Sequence, residues 1–158
     1  MMNSYWKESV NETNYPSLEK NIETEVCVIG AGIAGILTAY ELAEQGKKIV
    51  LIDRDRCAMG VTANTTGKIT SQHGLFYKYL VDTFGIEEAK SYLEANEEAI
   101  KHCKQIIDKN NIDCDFEFQD AYVYTNDEKE VSKIKEEVEC VNKLGKDAEY
   151  CKETSLPF

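Results

Sequence analysis

The chain has 158 residues, of which 42% are hydrophobic and 30% charged, an ordinary composition for a soluble globular protein of one domain's length. Its formal charge of −11 argues against binding to nucleic acid or to an anionic membrane surface, because both require lysine and arginine to meet phosphates. No run approaches the roughly 18 apolar residues of a membrane span, so we expect no transmembrane segment.

The first half of the chain carries the pattern of a parallel βαβ unit. After a polar arm (1–23), two short apolar runs, 25–29 and 48–53, are typical of buried parallel strands. Between them, apolar side chains at three- and four-residue steps predict a helix that ends near Gly46. Residues 54–74 are rich in Gly, Thr, Ser and Asn and lack helical periodicity, so they are predicted to form a loop.

The second half of the chain is predicted to be mostly helical. Apolar residues at helical spacing predict two helices within 76–107. Residues 115–125 (DFEFQDAYVYT) alternate with a period of two, which predicts a pair of strands. A last helix is expected to begin at a cap formed by Asn126 or Asp127 and to end at Gly145.

A glycine-rich turn, GAGIAG, connects the first predicted strand to the helix that follows. Gly30 allows the tight turn out of the strand, Gly32 lets the backbone approach a pyrophosphate, and Gly35 lets helix and strand pack closely. The helix N-terminus at Ile33 and Ala34 presents unpaired N–H groups and a partial positive charge to phosphates. Strand, glycines, helix and second strand in this order predict a dinucleotide site.

Asp53 ends the second predicted strand, 18 residues after Gly35, where its carboxylate can accept hydrogen bonds from both hydroxyls of an adenosine ribose. An acid at this position disfavours the 2′-phosphate of NADP. The loop from Gly60 to Lys68 offers small and hydroxyl-bearing residues along its length, which suits a long cofactor such as FAD. An NAD-dependent dehydrogenase and a non-catalytic chain that keeps only the cofactor-binding pattern are the alternatives.

The segment EVCVIGAGIAGILTAYELAEQGKKIVLIDRD, with GVTANTTGKITSQHG after it, resembles the N-terminal part of FAD-dependent oxidoreductases of the glycine oxidase and D-amino-acid oxidase (DAO) type. One subset, which carries a C-terminal Rieske iron–sulfur domain, is resembled more closely by the SYW arm, the TTGKITSQHG loop, the AYVYT strand and the terminal LPF. The resemblance implies FAD-dependent oxidation of a small amine or amino acid by hydride transfer to flavin. The residues it implies in FAD binding are Gly30, Ile33, Ala34, Gly35, Asp53 and Arg54 for the ADP half, and Thr62, Thr66, Gly67 and Lys68 along the pyrophosphate and flavin.

We therefore predict an α/β chain, with a Rossmann-type FAD-binding βαβ unit followed by the start of an α+β substrate domain. Its parts are the arm with Tyr5 and Trp6 as anchors (1–23), the FAD-binding part with two following helices (24–111) and the beginning of the substrate domain (112–158). A Rossmann sheet is parallel and covered on both faces. The two parallel strands predicted here would form only one wall of a cofactor crevice. We expect a truncated chain, inactive alone, whose partners are a small-molecule substrate and the remainder of the parent polypeptide.

The cysteines and histidines favour a reduced protein without a metal site of its own. The six cysteines form no CxxC pair, and the two histidines take no metal-ligand spacing with them. The polar N-terminus has no signal-peptide pattern, so we expect a cytoplasmic protein with free thiols. The Cys-x-His and Cys-x-x-His patterns of a Rieske 2Fe-2S cluster are absent, so such a cluster would require a further domain. No catalytic residue is assigned.

Overall fold

The computed structural model describes residues 4–11 and 13–154. The terminal LPF, the first three residues and residue 12 of the predicted arm lie outside the described residues. The described elements are, in chain order, α1 (Tyr5–Glu8), β1 (Val26–Ile29), α2 (Ile33–Glu44), β2 (Ile49–Ile52), a 3-10 turn (Thr62–Asn64), α3 (Tyr77–Phe84), α4 (Ile86–Lys109), a second 3-10 turn (Glu128–Glu130) and α5 (Val131–Lys143). None of the helices in these ranges is long and apolar enough to cross a membrane.

The chain divides into two compact units, Met1–Lys68 and Ile69–Phe158. The first unit contains the arm, the βαβ unit and most of the loop that follows it. The second contains α3, α4 and α5. The predicted boundary at residue 112 lies inside the second unit, and the predicted domain division stays a prediction.

The predicted βαβ unit is present in the first unit. β1 and β2 are parallel, and their register pairs Val26 with Ile49 and Ile29 with Ile52. The helix α2 connects them and ends just before Gly46, as predicted. Hydrophobic periodicity was sufficient here because strand, helix and strand are adjacent in sequence and pack on one another.

Only one face of this two-stranded sheet is covered by α2. Val28 points toward the helix, since its Cγ1 would lie 3.5 Å from a Cβ built on Gly35. Side chains alternate along a strand, so Cys27 and Ile29 point away from α2, and Ile29 is 82% exposed. Parallel sheets in α/β proteins have both faces buried by other elements. The face with Cys27 and Ile29 is exposed and therefore departs from this rule.

The second unit has a helical core. The two helices predicted within 76–107 are confirmed, and they are separated at Gly85. Their apolar faces pack with α5 around a common set of buried side chains: Tyr77, Leu80, Ala89, Leu93, Cys140, Val141 and Leu144. The last predicted helix is also present, and Asp127 caps the 3-10 turn that leads into it by accepting a hydrogen bond from the Lys129 N–H.

A polar cluster lies beside this core. The buried Tyr77 hydroxyl donates to the Ser71 carbonyl, and burial raises the pKa of Tyr77 to about 12. The Ser71 hydroxyl and the Lys146 ammonium both donate to the Glu97 carboxylate. Burial alone would raise the pKa of Glu97, but these hydrogen bonds outweigh it and lower the pKa overall. The cluster therefore joins α4 to the segments that precede α3 and follow α5.

The N-terminus of α3 is capped by a carboxylate from another helix. Its own N-cap residue, Phe76, provides no capping side chain. Instead Glu137 of α5, which is only 4% exposed, accepts hydrogen bonds from the amides of Phe76, Tyr77 and Lys78 at 2.8–2.9 Å. The Gln72 side chain donates to the same carboxylate. A buried anion at a helix N-terminus meets unpaired N–H groups and the positive end of the helix dipole.

The strands predicted over 115–125 are wrong, since the described part of the chain has no strand there. The two-residue alternation is real, but Phe118 and Tyr124 are 65% and 63% exposed, and the Phe116 ring packs edge-on against Phe118. An alternating pattern forms a stable strand pair when one face is buried against another layer, and an isolated hairpin is marginal in water. The predicted start of an α+β domain therefore stays a prediction.

Replacing Glu137 with alanine should destabilise the helical unit strongly. We expect the free energy of unfolding to fall by about 3 kcal/mol or more, because buried N–H groups left without an acceptor cost about 1–3 kcal/mol each. Glu137→Gln keeps one acceptor oxygen and should cost less. Urea unfolding followed by far-ultraviolet circular dichroism measures both. The exposed Glu139→Ala on the same helix is the control, and an equal loss in the control would contradict the capping role.

Candidate functional site

The carboxyl ends of β1 and β2 lie side by side, because the strands are parallel and in register. The Gly30 N–H donates to the Ile52 carbonyl at 2.8 Å, so the glycine turn begins beside the last residue of β2. A cavity of about 540 Å³, largely open to solvent, lies at this edge and is lined by Ile29, Gly30, Ile52, Asp53 and Arg54. Ligands of open α/β sheets bind in the crevice beyond the carboxyl ends of the strands.

Asp53 connects the glycine turn to the end of β2. Its Oδ2 accepts a hydrogen bond of 2.6 Å from the Ala31 N–H, and its Oδ1 accepts one of 2.8 Å from the Asp55 N–H. The amides of Asp55 and Ala31 lower the pKa of Asp53, so the side chain stays ionised. An ionised carboxylate has about four acceptor positions, so the hydrogen bonds from Ala31 and Asp55 do not use all of them. Asp53 therefore holds the glycine turn through the Ala31 amide and can still accept hydrogen bonds from a ligand in the cavity.

The loop after β2 closes over the start of α2. Thr62 Oγ1 accepts a hydrogen bond of 3.0 Å from the Ile33 N–H, the first amide of the helix. The Ala58 N–H donates to the Ala31 carbonyl at 2.7 Å. The amides of Ala34 and Gly35 lie in the same first turn, where a helix provides no carbonyl for them. The start of α2 thus combines a hydroxyl, two amides without helical acceptors and the positive end of the helix dipole.

The glycines of the turn meet steric requirements that a side chain would break. A Cβ built on Gly35 would lie 1.8 Å from the Gly30 carbonyl oxygen, so α2 approaches the turn as closely as predicted. Gly30 has a φ of +103°, which disfavours other residues, and its added Cβ would meet no described atom within 4 Å. The backbone at Gly30 is therefore open to close approach by a ligand. These features fit a dinucleotide.

The structure brings most of the predicted site residues together. Contacts at the turn, the cavity or the first turn of α2 join Gly30, Gly32, Ile33, Ala34, Gly35, Asp53, Arg54 and Thr62. Thr66, Gly67 and Lys68 lie further along the loop and are exposed. Within residues 4–11 and 13–154, no hydrogen bond joins these three to the glycine turn. Their role toward a cofactor stays a prediction.

Two contacts at the site were not predicted. The first is the amide of Ala31 as a partner of Asp53, since spacing gives the position of an acid but not its backbone partner. The second is the indole of Trp6, which donates to the Thr65 carbonyl at 2.8 Å. The only sequence signal for it was a tryptophan in a polar arm.

Comparison with known proteins identifies a matching family. The model described as "FAD dependent oxidoreductase" (DAO) matches residues 25–156. YhfW of Bacillus subtilis, named as a Rieske 2Fe-2S iron-sulfur protein, is 42% identical over 155 residues, which is 98% of this chain and 30% of that protein. No solved structure matches the chain.

Two further relatives are named as oxidoreductases. Gamma-glutamylputrescine oxidoreductase of Escherichia coli is 25% identical over 90% of this chain and 33% of its own length. The oxidoreductase OrdL of Haemophilus influenzae is 30% identical over 72% of this chain and 26% of its own length. The chain therefore spans about a third or less of the length of the relatives it matches.

Gly35→Ala should unfold the turn rather than stabilise the helix. Alanine normally improves an exposed helix interior by up to about 1 kcal/mol over glycine, but here the new methyl group would overlap the Gly30 carbonyl. We expect a lower melting temperature by circular dichroism. Gly32→Ala is the matched control, because its Cβ would meet only Thr62 Oγ1, at 3.3 Å. A Gly35→Ala variant as stable as the control would contradict the close approach.

Proposed function

Because this chain belongs to the DAO family of FAD-dependent oxidoreductases, as the match over residues 25–156 shows, we propose that its glycine turn and Asp53 hold the ADP half of FAD. The observation that carries the proposal is the ionised Asp53 carboxylate at a cavity beside an open glycine backbone. In this arrangement, the acceptor capacity that Asp53 has left would receive the ribose hydroxyls.

The start of α2 is suited to the pyrophosphate. Its amides at Ala34 and Gly35 and the helix dipole favour an anion. The Thr62 hydroxyl accepts from the Ile33 N–H, and a hydroxyl that accepts a hydrogen bond can also donate its own proton. We therefore propose that Thr62 donates to a phosphate oxygen. The phosphate would then contact the Thr62 hydroxyl, and the hydrogen bond from the Ile33 N–H to Thr62, which orders the loop, would stay in place.

For the whole protein we propose oxidation of a small amine or amino acid. Bound FAD supplies an acceptor for hydride, and these 158 residues would bind and orient the FAD. The name of the Escherichia coli relative, which refers to an amine substrate, supports this substrate class. Because the chain spans about a third or less of its relatives, we propose that other parts of the protein cover the exposed face of the sheet and provide the substrate site.

The relationship to YhfW supports one further component. That protein is named for a Rieske 2Fe-2S centre. The present sequence has neither the Cys-x-His nor the Cys-x-x-His ligand pattern. We therefore propose that any such cluster in the parent protein is held by residues outside these 158.

Asp53→Asn tests the cofactor assignment. The wild-type chain should bind FAD in preference to NAD, measured by flavin fluorescence and by competition with NAD. Loss of the charge should weaken FAD binding roughly tenfold or more, since hydrogen bonds to charged groups are the strong ones. Because Asp53 also holds the Ala31 amide, the apo variant should melt at a lower temperature.

The control is Asp55→Asn. It keeps the backbone N–H that donates to Asp53, and its own carboxylate accepts a hydrogen bond from the neighbouring Arg56 N–H. This variant should bind FAD as the wild type does. NAD binding more tightly than FAD, or equal FAD affinity in both variants, would reject the proposed function.

A further inference from the structure

The arm carries the single tryptophan of the chain, and this side chain lies on the loop between β2 and the end of the first unit. The Trp6 indole N–H donates to the Thr65 carbonyl at 2.8 Å, across 59 residues of sequence. Next to it, the Lys7 ammonium donates to the Asn64 side-chain oxygen at 3.3 Å. The Tyr5 ring packs edge-on against the indole, with centroids 5.2 Å apart. The short helix α1 is therefore docked on the loop by two adjacent residues.

Gly67 is shaped to receive the indole. Its φ is +74°, a left-handed conformation that favours glycine. A Cβ built on it would lie 2.4 Å from Cζ2 of Trp6, so any larger residue would displace the ring. The Gly67 N–H also donates to Thr65 Oγ1 at 3.3 Å. The indole thus contacts the loop on both sides of Thr66.

A continuous set of contacts runs from the indole to the start of α2. Thr65 follows directly after the 3-10 turn Thr62–Asn64 and closes it, because the Thr65 N–H donates to the Thr62 carbonyl. Thr62 then accepts from the Ile33 N–H. A loop rich in small polar residues loses backbone entropy when it is ordered. The large ring of Trp6 supplies apolar contact that offsets this loss at Thr65 and Gly67.

From this geometry we infer that Trp6 is a positioning residue of the cofactor site. It holds the loop so that Thr62 is already at the N-terminus of α2 before FAD binds. The expected consequence, tighter FAD binding, rests on the proposed function. The underlying contact does not depend on a cofactor.

Amide hydrogen exchange of the apo chain, followed by NMR, tests the contact directly. The Ile33 N–H is protected by Thr62, so Trp6→Ala should speed its exchange several-fold. The Ile36 N–H, which donates within α2 to the Gly32 carbonyl at 2.9 Å, is the internal control and should not change. Trp6→Phe keeps a ring on Gly67 and should restore part of the protection. Unchanged Ile33 exchange in Trp6→Ala would overturn the inference.

Gly67→Ala approaches the same contact from the loop side. Its methyl group should displace the indole, which would shift the tryptophan emission to longer wavelength and speed Ile33 exchange without altering Trp6 itself. Emission and exchange as in the wild type would overturn the inference.

FAD titration then measures the functional consequence. We expect Trp6→Ala to bind FAD about fivefold or more weakly than the wild type, and Trp6→Phe to lie between the two. Tyr15→Ala removes a 71% exposed aromatic from the same arm and should bind FAD normally. Faster Ile33 exchange with unchanged FAD affinity would overturn the positioning role. A wild-type chain that binds no FAD would instead reject the proposed function, while Ile33 exchange would still decide whether Trp6 holds Thr62.

Discussion

The hydrogen bond from the Ala31 amide to the Asp53 carboxylate is the contact on which the arrangement of the candidate site depends. It joins the glycine turn to the end of β2, at the edge where the two parallel strands stop. The same turn must fit under the start of α2, where Gly35 lies against the Gly30 carbonyl with no room for a methyl group. The carboxylate and the steric contact thus place the glycine turn against the end of β2 and the start of α2, while the strand ladder and the Gly30–Ile52 hydrogen bond hold the register.

In each of the two units, one carboxylate accepts hydrogen bonds from several backbone amides. In the first, the exposed Asp53 accepts two backbone amides and keeps acceptor capacity toward a cavity. In the second, the buried Glu137 accepts three amides at the start of α3 and is enclosed by the helices. A carboxylate among N–H groups is stabilising in both settings. Of the two carboxylates, Asp53 is the one that lines a cavity and can meet a ligand there.

Sequence reasoning succeeded where the determining contacts are local. The βαβ unit, the close approach at Gly35 and the position of Asp53 follow from periodicity and spacing within about thirty residues. It failed over 115–125, where alternation predicted strands that have neither a ladder partner nor a buried face in the described residues. The Trp6–Thr65 and Glu137–α3 contacts join residues about sixty positions apart, and no local pattern specifies such pairs.

The central claim is that this part of the protein binds the ADP half of FAD through the glycine turn and Asp53. Competition between ligands tests it most directly, because ADP contains the adenosine and pyrophosphate and FMN lacks the adenosine. With FAD bound to the chain and the retained FAD measured by chromatography after removal of free ligand, ADP should displace it and FMN should not. Displacement by FMN, with no effect of ADP, would contradict the account.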